Sequence, residues 1–164
     1  MAARPQKPAA LHSCQSNAIL NEDESECVFC KILRGEMPVS VVYEDPTAVV
    51  FVPLHHVNPG HLLVIPRAHL PYLKDVDDAT FAHVNNVGKR IAAVIARAGF
   101  KCEGINFFIA DGEAAGQEVL HLHLHVYPRF NGDEFGFRFN AQRGLLENQR
   151  EDMDRVARII RKHF

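Results

Sequence analysis

The spacing of apolar and polar positions changes character several times along this chain, and each change marks an element. "VSVVYED" (Val39–Asp45) and "TAVVFVPL" (Thr47–Leu54) are rich in β-branched residues and are separated by Asp45-Pro46, a turn signal. Together they predict a hairpin. "NPGHLLVIP" opens on a Pro-Gly turn and continues as an apolar strand, Leu62 to Ile65, which Pro66 ends. From Asp77 to Ala98 the period lengthens. Phe81, Val84, Gly88, Ile91, Ile95 and Ala98 recur at spacings of three and four, one stripe of an amphipathic helix. Asp77 and Asp78 suit its start and Gly99 its end. Ile105–Ala110 predicts a strand, "DGEAAGQ" a small polar loop, and Val119–Pro128 a further strand. Finally, "ENQREDMDRVARIIRKHF" carries acids early and bases late, as a helix dipole favours, with Met153, Val156 and Ile160 as a narrow apolar face.

Hairpin, strand, long helix, strand, loop, strand, helix is the order of an α+β fold. The expectation is an antiparallel sheet of about five strands, with one long helix packed on a face and a C-terminal helix besides. The first 26 residues, polar and then acidic, read as a disordered arm.

Composition narrows the function. The chain has 164 residues, the size of one compact domain, and 47% of them are hydrophobic, enough for a core. Charge is nearly balanced, 18 Lys+Arg against 20 Asp+Glu, with no basic stripe for a nucleic-acid backbone or an anionic membrane. The apolar runs are far too short to cross a bilayer, and the N-terminus lacks the apolar stretch of a secretory signal. Four cysteines are too few for a disulfide-built scaffold, so a reducing cytoplasm is expected.

Two short segments carry candidate chemistry. In "HLHLHVYPR", His121, His123 and His125 alternate with Leu122, Leu124 and Val126. Alternate residues of a strand share a face, so the three imidazoles would line up about 7 Å apart, with the aliphatics on the core side. A solvent-facing strand with histidines by chance is one meaning. A single three-histidine metal site is another, weakened because the outer two would be about 13 Å apart. Division of labour among metal, chemistry and anion binding is the third. Imidazole suits it, because it titrates near neutrality and its two nitrogens can do different jobs. Gly112 and Gly116, in the loop just before, would let the backbone present amides to a phosphate.

The second segment is "CVFC", Cys27-x2-Cys30. Such spacing means zinc, redox chemistry, or two unconnected thiols. Redox fits poorly, because no strand precedes the pair. A structural zinc needs four ligands, and the remaining two would come from histidines. Cys14 and Cys102 look incidental.

"CVFCKILRGEMP", "VVYED", "PGHLLVIPRAH" and "GEAAGQEVLHLHLHVYPR", in this order and spacing, closely resemble the histidine-triad (HIT) superfamily of nucleotide-binding hydrolases. The resemblance runs from about Cys27 to Arg129. It implies a HIT domain over residues 27–140 and a helical extension over 141–164. It implies a nucleophile at His123, attacking the α-phosphorus of a nucleoside 5′-phosphate derivative to form a nucleotidyl-histidine intermediate, and a phosphate partner at His125. Val28, Phe29, Ile32, Phe51 and Leu54 match positions that sandwich the base. Gln117, Glu118 and Val119 match positions that border the phosphate, and His61 matches the family's His in "GHxLVIP", near the nucleotide site. The CxxC resembles that of zinc-binding bacterial members, which implies Cys27, Cys30, His69 and His121 as ligands of a structural zinc. The resemblance also implies a homodimer formed by joining sheets.

The implied activity is hydrolysis of nucleoside 5′-phosphoramidates or related nucleotide conjugates. The alternatives are a dinucleoside polyphosphate hydrolase or nucleotidyl transferase, and a weakly active nucleotide- or zinc-binding interaction protein. His125 stands where the transferases carry Gln, which argues against transfer. Three positions depart from the family pattern: Pro53 replaces an acid that grips the ribose, Ala110 an Asn, and Glu118 a Ser on the phosphate side.

Overall fold

The computed structural model describes residues 22–136 and 149–163. Five strands, β1 (Ser40–Glu44), β2 (Ala48–Val52), β3 (Leu62–Pro66), β4 (Gly104–Phe108) and β5 (Leu124–Arg129), form one sheet in the order β1-β2-β3-β5-β4. Every neighbouring pair is antiparallel. The helices are α1 (Glu22–Glu26), α2 (Val28–Leu33), α3 (Asp78–Ile95) and α4 (Arg150–Arg161). This is the expected α+β architecture.

Asp45 sets the hairpin. Its Oδ1 accepts from the Thr47 and Ala48 N–H groups, both at 2.8 Å, which closes the β1–β2 turn. Its Oδ2 takes the Tyr43 hydroxyl and His83 Nε2 on α3. Burial opposes the charge, but these donors more than offset it and hold the carboxyl well below the usual range.

The strand pleat divides the core into two faces. Ala48, Val50, Leu62, Val64, Leu124 and Val126 pack against Val84, Val87, Ile91 and Ile95 of α3. Val49, Phe51, Leu63 and Ile65 face the other way, against Cys27, Phe29 and Cys30. The helical stripe is shifted from its expected line. Val87 is buried, whereas Phe81 and Ala98 at the two ends are exposed. Gly88 is a point of close approach: a Cβ there would sit 2.5 Å from Leu124 Cδ2, so a side chain at that position would force the buried Leu124 to repack.

Two boundaries differ from expectation. Glu22–Glu26, in the arm, are helical, tied by Lys31 Nζ to Glu26 at 2.8 Å and by Arg34 to the Ser25 carbonyl. The rest of the arm, 1–21, lies outside the described residues. The last strand does not begin at Val119. Residues 119–123 turn, with His121 N–H donating to the Val119 carbonyl and Leu122 N–H to the Leu70 carbonyl, and β5 starts only at Leu124. That turn sends His121 away from the row.

Residues 134–164 form a separate unit. Within it α4 carries Glu151 and Asp152 in its first turn and Arg158 and Arg161 in its last, and Met153, Val156 and Ile160 are exposed. Residues 137–148 lie outside the described residues. Among the described residues no helix is long and apolar enough to cross a membrane.

Candidate functional site

On the sheet face opposite α3, the three histidines part company. His121 is fully buried. Its Nε2–H donates to the Pro66 carbonyl at 2.9 Å, which fixes the tautomer and leaves the Nδ1 lone pair facing Cys27 and Cys30 Sγ, each 3.6 Å away. His69 Nδ1 lies 3.3 Å from Cys30 Sγ. The four ligand atoms of Cys27, Cys30, His69 and His121 all fall within 4.8 Å of one another. In a tetrahedron with metal–sulfur bonds of about 2.3 Å and metal–nitrogen bonds of about 2.0 Å, edges run about 3.3–3.8 Å, and the three sulfur–nitrogen separations of 3.3, 3.6 and 3.6 Å fall in that range. Burial pushes the Cys30 thiol up to about 12, with Cys27 adding to the effect. Such a thiol ionises only if a cation replaces its proton. The residues present therefore fit a closed, tetrahedral metal site.

His123 does different work. It is buried to 6% exposure, yet its ring lies on a cavity wall. Nδ1–H donates to the His121 carbonyl at 2.7 Å, so the neutral ring carries its lone pair on Nε2. Burial lowers the His123 pKa, which keeps that lone pair unprotonated near neutral pH.

A second chain of bonds orients His125. Val57 N–H donates to His61 Nδ1 at 3.3 Å, so His61 carries its proton on Nε2. That proton points to His125 Nδ1 at 3.1 Å, so His125 must present Nε2–H. Burial holds both rings neutral, His61 down to about 4 and His125 to about 3, with His123 and His61 adding to the effect on His125. The rings of His123 and His125 lie 4.9 Å apart, centroid to centroid. The site thus pairs a lone-pair donor with a neutral N–H donor.

The cavity these groups line measures about 930 Å³. Val28, Phe29 and Ile32 form one wall, Phe51 the floor, and the highly exposed Leu54 the rim. Phe29 separates cavity from metal cluster, its ring 5.3 Å from His123 and 5.8 Å from His121. His61, Glu118 and Val119 also line it.

Gln117 does not. Its Oε1 accepts from Gly112 N–H and its Nε2 donates to the Pro71 carbonyl, both at 2.7 Å, so this side chain braces the loop rather than facing a ligand. The glycine amides are spent likewise: Gly112 donates to Gln117 and Gly116 to the Glu113 carbonyl. The glycines are needed for their backbone, at φ +88° and +82°.

Pro53 lines the cavity, so the position of the expected ribose acceptor is in place without an acceptor. Ala110 is buried and does not line it.

Tyr127 and Phe108 escaped the reading of the sequence. Tyr127 stacks on His125, centroids 5.1 Å apart and planes at 18°, and Phe108 lies 5.8 Å from His125. Tyr127 continues the alternation of "HLHLHVY" and could have been found from it. Phe108 reaches the site only through its pairing opposite His125 in the β4–β5 ladder.

The chain is similar to known proteins of one family. A family model, the HIT domain, matches residues 34–132. An uncharacterised HIT-like protein of Borreliella burgdorferi is 42% identical over 69% of this chain and 82% of its own length. An Arabidopsis thaliana protein, adenylylsulfatase HINT3, is 31% identical over 86% of this chain and 71% of its own. The crystal structure of a zinc-bound histidine-triad family protein from Mycobacterium smegmatis superimposes with a TM-score of 0.66 at 41% identity, covering 72% of this chain and 85% of that one.

Proposed function

Because this chain belongs to the HIT-domain family, we propose that it is a nucleotide-binding hydrolase that cleaves nucleoside 5′-phosphoramidates or related conjugates at the α-phosphorus, through a nucleotidyl-histidine intermediate. The observation that carries this is the tautomer of His123, whose Nε2 lone pair faces the cavity because Nδ1–H is held by the His121 carbonyl. A neutral, oriented imidazole is a competent nucleophile toward phosphorus.

In the first step Nε2 forms a bond to phosphorus and the bond from phosphorus to the leaving group breaks. The electron pair goes to the departing atom, which takes up a proton. In the second step water adds its oxygen to phosphorus and loses a proton, and the imidazole departs with its pair of electrons. His125 Nε2–H donates to a phosphoryl oxygen or to the departing atom. The base lies between the Val28–Phe29–Ile32 wall and the Phe51–Leu54 side. His61 holds His125, and Glu118 and Val119 border the phosphate.

The metal we assign to Cys27, Cys30, His69 and His121 is zinc, in a structural role. The four ligands leave no open position for water, and the zinc-bound relative supports the choice of metal. The protein acts as a homodimer joined along β4, an open sheet edge of regular register; β1, the other edge, is blunted by a bulge between Val41 and Tyr43. Light scattering should give twice the 18.4 kDa chain mass.

The test of the activity is a panel of nucleoside 5′-phosphoramidates and nucleotide esters incubated with the protein. Release of nucleoside monophosphate from a phosphoramidate is the expected result. A panel in which no conjugate is cleaved would refute the hydrolase and leave a binding protein. Hydrolysis of adenylylsulfate is the second reading, favoured by the plant relative, and cleavage of that compound ahead of every phosphoramidate would establish it.

A further inference from the structure

The cavity is built for a phosphate compound, yet the charge along its wall has the wrong sign for one. Among the described residues that line it there is no lysine, arginine or aspartate; beside the histidines, the one charged side chain is Glu118. His61 and His125 are held neutral by burial, so they supply hydrogen bonds but no countercharge. A substrate phosphate bearing a negative charge therefore meets a carboxylate and, among the described lining residues, neither a lysine nor an arginine.

Glu118 is held at this place. The preceding Gln117 is anchored at both ends of its side chain, to Gly112 N–H and to the Pro71 carbonyl. Three residues on, His121 is pinned by Pro66 and faces Cys27 and Cys30. The carboxylate between these anchors is near enough to Tyr127, behind the catalytic pair, for its field to help burial raise the phenol pKa. A carboxylate there repels a second anion next to the phosphate and attracts a cation.

We propose that Glu118 selects the leaving group: it favours nucleotide conjugates whose departing part carries a positive charge close to the scissile bond, such as diamines or other ammonium-bearing amines, and disfavours anionic ones such as sulfate or a polyphosphate. Substrate and site are then complementary as a zwitterion to a single negative charge. The proposal rests on the reading of this cavity as the nucleotide site. It goes beyond that reading by naming the charge of the group that leaves. Glu118 is exposed, so the preference is moderate and weakens with salt.

The experiment uses two nucleotide esters that differ only in the charge of the departing group, the aminoethyl and hydroxyethyl esters of adenosine 5′-monophosphate, each checked for intactness after the titration. Their binding to the wild-type dimer, Glu118→Gln and Glu118→Lys is measured by calorimetry at low and at physiological salt. The wild type should bind the aminoethyl ester roughly three- to tenfold more tightly at low salt, a ratio that salt reduces. In Glu118→Gln the ratio should fall to about one, and in Glu118→Lys it should invert. A wild-type ratio near one, or a ratio that neither substitution moves, overturns the proposal while the nucleotide site stands. If neither ester binds, the nucleotide site itself is wrong and the selectivity falls with it. Because binding needs no turnover, a phosphoramidate panel without cleavage leaves this test intact.

Discussion

His123→Asn should abolish phosphoramidate cleavage, lowering kcat by roughly ten-thousand-fold, the order seen when a catalytic nucleophile or its base is removed. Asparagine can reach the His121 carbonyl with its amide N–H, as Nδ1–H does at 2.7 Å, so the backbone anchor survives. It offers no lone pair at the Nε2 position. The cavity walls are untouched, so nucleoside monophosphate affinity should change little. Kinetics with a cleavable phosphoramidate, alongside calorimetry with the monophosphate, separate the two effects. Turnover within tenfold of wild type would exclude His123 as nucleophile. A companion variant tests the orienting pair. His61→Ala removes the N–H that sets His125 Nδ1 as acceptor, so His125 can take either tautomer. A loss of about 10- to 100-fold in kcat is expected, smaller than at His123 because His125 remains.

Cys30→Ser should remove the metal and lower stability by several kcal/mol, on the order of 5, at the upper end of single substitutions. The four ligands come from distant parts of the chain: Cys27 and Cys30 flank the start of α2, His69 follows β3, and His121 precedes β5. An ion there closes two long loops at once. Without it the site buries thiols, and burial together with the neighbouring Cys27 raises Cys30 to about 12. Metal binding must release the thiol protons, so acid should strip the metal before it unfolds the chain. Elemental analysis of protein purified without chelator should find one zinc per chain, and thermal melts should fall sharply in Cys30→Ser or after chelation. No metal, with Cys30→Ser as stable as wild type, would refute the structural role. Activity should fall with the metal as well. His121 is both ligand and, through its carbonyl, the acceptor that fixes the His123 tautomer. Any loosening of His121 frees His123 to present the wrong nitrogen.

Much of this could be read from residues alone, for local reasons. β-Branched runs punctuated by Asp45-Pro46 and by Pro66 favour strands, and the stripe through Val84, Ile91 and Ile95 favours a helix, both from local spacing. The ends of elements were less legible. Phe81 and Ala98 fit the helical period, but Phe81 is exposed in the first turn of α3 and Ala98 lies beyond its end at Ile95. Gln117 carries an amide that could serve a phosphate or a loop equally well, and only its neighbours Gly112 and Pro71 decide for the loop.

The row of histidines shows where sequence stops. Alternation by itself placed three imidazoles on one face of one strand, and the resemblance, not the spacing, set His121 apart. The fold separates them physically: the backbone turns at residues 119–123, His121 dives toward Cys27 and Cys30, and only His123 and His125 remain on the cavity. What the sequence by itself determined was the kind of each element and the chemistry of each side chain, because propensity and pKa range are local properties. What only the tertiary structure decided was which nitrogen of each histidine carries its proton, and what each faces. Those depend on single acceptors and donors, and two of them, the Pro66 carbonyl on His121 and the His61 N–H on His125, stand 55 and 64 residues from the ring they orient.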